Sequence, residues 1–364
     1  MLLLKFLTNR FKSIGSSLRK SKEVSFTNST VLLAFTELFM VVVGILLALY
    51  IDRWNSTQKH EEQFKATLRL VQQDLVSDVF ASDNVIAGFS SRDSLRHNVM
   101  LNKLDRNYYK NGTSAWEIII QYYNNFNVSL EGFSLLIDMK EEVPDKYVNI
   151  YKKIKNFYKR IETINEYNSR YKEVIWDIKD ELSFKKWYWI DSYEGIISEE
   201  QLDFYLNDFY YKSLVQKTMN ASVLLYSEAR NHRIKAINLY HEINDLLGVE
   251  VEVPKNITNN IADSLANKYV GTYKMIEGDS SQWFPKYYSK NLILEIGIKD
   301  SILYLMQDNE HSTKLYYFNR ISNNSKFPIK KHPVFISSIG FFEFYKNGNL
   351  KVGAAGPYSI WEKQ

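Results

Sequence analysis

The residues best suited to proton transfer or metal ligation are six histidines, His60, His97, His232, His241, His311 and His332, and they are scattered along the chain. Glu228 and His232 stand four apart on one predicted helix, a spacing that supplies half of a metal site. No second pair repeats it, so a surface ion pair is the expected role. Asp177, Asp180 and Glu181, like Glu199 and Glu200, fit solvated helix faces and helix starts. With no cysteine in 364 residues, disulfides, zinc knuckles, iron–sulfur ligation and thiol catalysis are excluded. A GxSxG elbow, a Walker loop, GxGxxG and HExxH are all missing. Nothing sets a nucleophile beside a base and an orienting group. The expectation is a protein that is not an enzyme and holds no cofactor and no metal.

One further carboxyl stands out by its surroundings. Glu37 is the single charge in Val31–Ile51, VLLAFTELFMVVVGILLALYI. As a helix these residues span about 30 Å, the thickness of a bilayer core. Glu37 would lie about 9 Å inside the near edge, where an ionisable group costs up to about 2.5–3.5 kcal/mol and by default faces a partner or a proton path. The alternative is a carboxyl that snorkels outward or sits protonated at a helix contact. Gly44 and Ala48 form a small-xxx-small pair that suits close helix packing. Tyr50 and Trp54 sit at the far end, where aromatic rings prefer the headgroup level.

Charge sets the expected orientation. Residues 1–51 hold six bases (Lys5, Arg10, Lys12, Arg19, Lys20, Lys22) and two acids, Glu23 and Glu37, while the rest of the chain is neutral. The basic tail, residues 1–30, is expected in the cytoplasm and the body across the membrane. Leu2, Phe6, Phe11 and Leu18 among those bases suit either an amphipathic helix on the leaflet or an unstructured tail. The span is too long for a cleaved signal and reads as a signal anchor. The neutral body argues against nucleic acid as a partner.

The run from Glu37 to Asn55 (ELFMVVVGILLALYIDRWN) resembles the signature of an uncharacterised single-span family found mostly in Bacteroidetes. That signature is an acidic residue, a V-x-x-G-I-L-x-A-L core, then I-x-x-W-N. The resemblance continues less sharply to about residue 247. It implies a bacterial inner membrane protein with a cytoplasmic N-terminus and a helical periplasmic body, and carries no catalytic residues. One span, an early acidic residue and a periplasmic body also resemble the layout of proton-driven motor stators.

Residues 52–248 read as an antiparallel helical bundle. Phe64, Leu68, Val71, Leu75 and Val79 recur at helical spacing, so the membrane helix is expected to continue outward to residues 87–91, and more weakly to Leu104. Ser114 and Glu117 form a capping box for a helix from Ala115. After Pro144, apolar positions alternate steps of three and four from Tyr147 to Leu182, interrupted by Asn168. In an intermolecular coiled coil Asn168 would set the register; in an intramolecular bundle, the preferred reading, the same spacing packs a core. Trp187, Trp189 and Tyr193 form an aromatic cluster that either caps the bundle or meets a ligand or the headgroups. Ser198 with Gln201 makes a second capping box, and a last helix runs from about Asp208 to Gly248.

Residues 249–265 read as a connector. From residue 266 the hydrophobic period switches to two, and seven or eight short strands are expected, forming an antiparallel barrel or sandwich. Asn347-Gly348 marks a hairpin. Tyr269-Val270-Gly271-Thr272-Tyr273 and the F-Y-x-N-G-x-L-x-V ending resemble small lipocalin-like β modules, which implies a possible small-molecule ligand; at this size the interior is as readily filled by its own side chains. The chain is thus expected to be an α+β membrane protein: one transmembrane helix, a bundle and a β module. Its expected role is a non-catalytic interaction or scaffold module, partnered by the bilayer and by another protein or a second copy. Two alternatives stand beside it, a periplasmic ligand sensor signalling through a partner and an accessory subunit of an energised complex using Glu37.

Overall fold

The computed structural model describes residues 28–111, 123, 125–185, 197–248, 254, 257, 266–277, 293–299, 302–306, 312–317, 334–337, 341–353 and 358–364. The basic tail up to residue 27, the helix expected from Ala115, the Trp187/Trp189/Tyr193 cluster and residues 249–253 of the connector lie outside the described residues. The chain divides into two compact units, Met1–Gln63 and Phe64–Gln364.

The first helix, α1 (Asn28–Met100), contributes to both units and runs without interruption to Met100, between the two expected ends at residues 87–91 and Leu104. In the first unit its side chains from Leu33 to Trp54 stand almost entirely exposed: Leu33, Phe39 and Leu46 keep 63, 61 and 60 % of their surface. This stretch is long and apolar enough to cross a membrane, with a mean hydropathy of 2.3 over its best window and none of that window buried.

In the second unit α1 is joined by α2 (Arg106–Asn111), α3 (Glu131–Asp138), α4 (Val148–Tyr158), α5 (Ile161–Ser183), α6 (Glu199–Asn207) and α7 (Phe209–Leu247). Local chemistry sets several ends. Asp208 accepts from the Tyr210 N–H at 2.7 Å to start α7, and Gly248, left-handed at φ 61°, closes it. Ser198 accepts from the Gln201 N–H at 3.2 Å, but the Gln201 side chain donates onward to Tyr205 Oη at 2.8 Å, so the expected reciprocal box is only half formed. The helix expected after Pro144 is broken once, at Lys159–Arg160, between α4 and α5.

Three apolar layers show how the helices run. Phe64, Leu68 and Leu75 of α1 pack with Ile150 and Ile154 of α4 and Ile237 and Ile243 of α7. Val85 and Phe89 pack with Ile164 and Tyr171 of α5 and Leu225 and Tyr226 of α7. Val99 packs with Ile178 and Leu182 of α5 and Tyr211 and Val215 of α7. Residue numbers rise together in α1 and α4–α5 and fall in α7. The expected all-antiparallel bundle is corrected: α1 and α4–α5 are parallel, and only α7 is antiparallel to both. A parallel pair requires the chain to travel back between its members.

The strands are β1 (Gly271–Glu277), β2 (Ile293–Lys299), β3 (Ile302–Met306), β4 (Ser312–Tyr317), β5 (Val334–Ile336), β6 (Phe341–Phe344), β7 (Leu350–Gly353) and β8 (Tyr358–Lys363). Each pairs antiparallel with the next, and β8 pairs back with β1 to close a barrel rather than a sandwich. Leu294, Ile296, Leu303, Leu305, Phe342, Phe344 and a fully buried Trp361 pack together in one apolar cluster of the barrel. At the hairpin Tyr345 N–H donates to Asn349 O at 2.8 Å, and Gly348 takes the positive φ of 89° that the turn requires.

Strands β6 and β7 are buried on both faces. Phe342 and Leu350 point into the barrel, whereas Phe341 packs among Val85, Phe89 and Tyr226 of the helices. Gly353, paired opposite Phe341, makes room for its ring: a Cβ there would come within 2.4 Å of it.

Candidate functional site

Two sets of residues carry functional potential, one in each unit. In the first, Glu37, Gly44 and Ala48 are exposed on α1, and their separations of seven and four residues set them on one face. Tyr50 and Trp54, 69 and 59 % exposed, follow at the end of the apolar stretch.

The second set is a polar seam inside the helical body. Asp74, Asp78, Asp83, Arg92, Asp93 and Arg96 of α1 are all buried, as are Glu228, Arg230, His232 and Arg233 of α7. Burying charge is costly unless each group is paired and hydrogen-bonded. His232 Nε2 lies 2.9 Å from Asp78 Oδ2, and Arg233 Nε donates to Asp83 Oδ1 at 2.6 Å. Arg160, at the break between α4 and α5, holds Glu228 with two bonds, one of them Nε to Oε2 at 3.0 Å; that carboxylate keeps the guanidinium's pKa above its ordinary value.

The seam corrects the expectation for Glu228 and His232. They are neither a surface ion pair nor half of a metal site, because each turns to a different partner inside the bundle. The His232 ring sits against Phe157 at 4.4 Å and edge-on to Phe126 at 5.3 Å. Glu199, by contrast, is exposed and pairs with Arg106 and Lys110. Among the described residues no cluster of three or more metal-ligating side chains forms.

What the seam does locally follows from the parallel helices. Residues 125–130 run back without regular structure beside them, and their backbone groups need partners that helices cannot supply. Side chains provide them. Asn168 accepts from Phe126 N–H at 2.9 Å and donates to Phe126 O at 2.8 Å. Asp78 accepts from Ser129 N–H at 2.7 Å through its other oxygen. Asp74 accepts from Gly132 and Phe133 N–H at 2.7 and 3.1 Å, capping α3, whose own N-cap residue Leu130 makes no side-chain bond. Burial raises the Asp74 pKa despite these bonds. Gly132 is required there: a Cβ would come within 2.4 Å of the α1 backbone at Leu70. Asn168 is therefore a buried partner of a returning chain segment, within one molecule.

Next to the seam lies a small cavity of about 20 Å³, bounded by Arg92, Arg96, Tyr171, Ser222 and the apolar Val85, Phe89 and Leu225. Arg96 donates to Ser222 Oγ at 2.9 Å and to Tyr171 Oη at 3.3 Å. At the junction with the barrel, burial and the positive charges of Lys103 and Lys351 lower the pKa of His97. Sequence reasoning missed Asp74, Asp78 and Arg96 of α1 and Arg233 of α7; for those of α1 the one signal is that acids and arginines recur at helical steps on the face next to its core positions.

Compared with models of protein families the chain matches none, and no curated protein matches it either.

Proposed function

We propose that this chain is a membrane-anchored, non-catalytic interaction protein, held in a bacterial inner membrane by Val31–Ile51 with its basic end in the cytoplasm and its body in the periplasm. The observation that carries the reading is the stretch of α1 from Leu33 to Trp54, whose large apolar side chains are exposed. Each such side chain gains about 1.5–3 kcal/mol on leaving water, and an apolar surface this continuous marks an interaction with lipid or protein. The basic residues before it favour a cytoplasmic N-terminus, and Tyr50 and Trp54 suit the opposite interface. The resemblance of residues 37–55 to the Bacteroidetes single-span family supports the same placement.

Glu37, Gly44 and Ala48 share one face, so in this reading they turn toward a partner helix, where a carboxyl is better accommodated than in lipid. The body supports the interaction role through its construction, since its buried polar groups are spent on holding chain segments together. Alkaline extraction and flotation of membranes test the anchor: the chain floats with lipid and resists extraction. Alkaline phosphatase and cytoplasmic reporters fused after residue 60 and at the C-terminus test the orientation. A phosphatase-inactive fusion that is active in the cytoplasmic assay overturns it.

A further inference from the structure

We propose that α1 pairs over residues 37–62 with a second copy of this chain, as two parallel helices related by a two-fold axis. The proposal rests on the anchor reading and names the partner that the Glu37 face would meet. Among the described residues α1 is the only element of the first unit, and every residue from 51 to 59 is exposed. Residues 55–63 are polar throughout, so this part of the helix has no apolar stripe of its own to bury. At about 100° per residue, Glu37 and Asn55 fall on one line along the helix, about five turns apart. Gly44 and Glu62 lie about 20° to one side of that line, and Ala48 and Lys59 about 20° and 40° to the other. Among the described residues none of Glu37, Asn55, Lys59 and Glu62 has a side-chain hydrogen bond or ion pair within the chain.

The chemistry of that line selects the partner. Two copies anchored with the same orientation bring their helices together in parallel, and a two-fold axis beside the line sets each residue on it against its own copy. Glu37 and Asn55 suit such a contact: a carboxyl with its proton and a carboxamide each carry a donor and an acceptor, so each can bond to an identical group. A lysine or arginine at either place would repel its copy. On the flanks the symmetry acts differently, because it turns one side of each helix toward the opposite side of the other. Lys59 of one copy therefore meets Glu62 of the other, with an axial offset of about 4.5 Å. Self-pairing groups stand at the centre and opposite charges at the edges, a pattern that a copy supplies by symmetry and a foreign helix would have to supply independently. Gly44, where a Cβ would find nothing within 4 Å, and Ala48 lie between the two polar levels and let the backbones approach; they permit the contact without choosing the partner. In this pairing the register-setting role suggested by the spacing of Asn168 falls to Asn55.

The test uses the full chain in its membrane. It has no cysteine, so single cysteines report the contact directly. Asn55→Cys, on the line, forms a disulfide-linked dimer under mild oxidation with copper phenanthroline, at a yield several-fold above that of Thr57→Cys, which faces about 160° away. In lipid nanodiscs, single-molecule photobleaching counts two copies per disc. Glu62→Lys sets Lys59 against a like charge and raises the dissociation constant of the dimer roughly tenfold; adding Lys59→Glu restores the pairing. Both positions are exposed, so the body folds in every variant. A chain that resists alkaline extraction yet gives one copy per disc overturns the dimer and leaves the anchor standing, whereas a chain released by alkaline extraction overturns both. Equal cross-linking at positions 55 and 57, a cross-link to a different protein, or failure of Lys59→Glu to rescue Glu62→Lys also overturns the pairing.

Discussion

Helix α1 carries two stretches that treat solvent in opposite ways. From Leu33 to Trp54 its apolar side chains are exposed, while from Asp74 to Arg96 several of its charged ones are buried, Asp78 at 0 % and Arg96 at 1 %. The backbone is the same throughout; what differs is what lies alongside. The first stretch has no protein packed against it among the described residues, and the proposed bilayer fits it because its residues need nothing but an apolar medium. The second is surrounded by α4, α5, α7 and a returning loop, and Asp74, Asp78, Asp83 and Arg96 each meet a partner there. A charge is tolerated inside a protein only where geometry supplies its partner, whereas apolar surface needs no partner of defined direction.

The largest expected effect breaks the first half of this contrast. Removing residues 1–51 moves the protein from the membrane pellet to the supernatant after ultracentrifugation, a change of at least about tenfold in the soluble fraction, since a spanning helix is an effectively irreversible anchor. Retention of the truncated chain in the pellet would show that the body binds membranes itself.

In the second half, Asp78→Ala strands both His232 and the Ser129 N–H. It is expected to cost about 3–5 kcal/mol, because two buried groups lose their partner at once at roughly 1–3 kcal/mol each, read by urea unfolding in detergent. Asn168→Ala leaves the Phe126 N–H and C=O without their side-chain partner and costs less, about 1–3 kcal/mol; faster proteolysis within residues 125–130 would accompany it. If Asn168→Ala instead changed only oligomeric state, the residue would belong to an intermolecular seam after all.

Gly353→Ala tests how the barrel meets the helices. The added methyl collides with the Phe341 ring, at a cost of about 1–3 kcal/mol, and near-ultraviolet circular dichroism should report the displaced aromatic packing.

The smallest effect is a dependence on pH with two opposed contributions. His97 has a lowered pKa in the fold, so below its ordinary 6.5 the unfolded chain takes up a proton first and stability falls as pH drops. His97→Gln should flatten that decline. Asp74 has a raised pKa; between that value and its ordinary 3.8 the folded chain holds the extra proton, so its contribution grows as pH falls. Asp74→Asn should remove this gain. Matched pH titrations of unfolding free energy separate the two.

Features fixed by neighbours in sequence were readable. Asp208 and Gly248 bound α7 because a cap and a left-handed glycine act within one helical turn, and Ile302–Met306 alternates in step with the pleat. Closure of the sheet into a barrel was not readable, because β8 pairs with β1 from far back in the chain and its buried Trp361 gives no local sign. The break at Lys159–Arg160 leaves the apolar spacing intact and so was invisible. The seam was hidden for a related reason: a polar helix face looks the same whether water or protein covers it.

The amino-acid order alone therefore determined the long exposed apolar helix, the period change near residue 266 and the absence of familiar catalytic motifs, all properties of composition and short-range spacing. Only the tertiary structure decided that α1 and α4–α5 run parallel, that a loop returns between them, and that Asp74, Asp78 and Asn168 serve its backbone. Those choices depend on contacts between residues far apart in the chain, whose hydrogen bonds exist only once the segments are brought together.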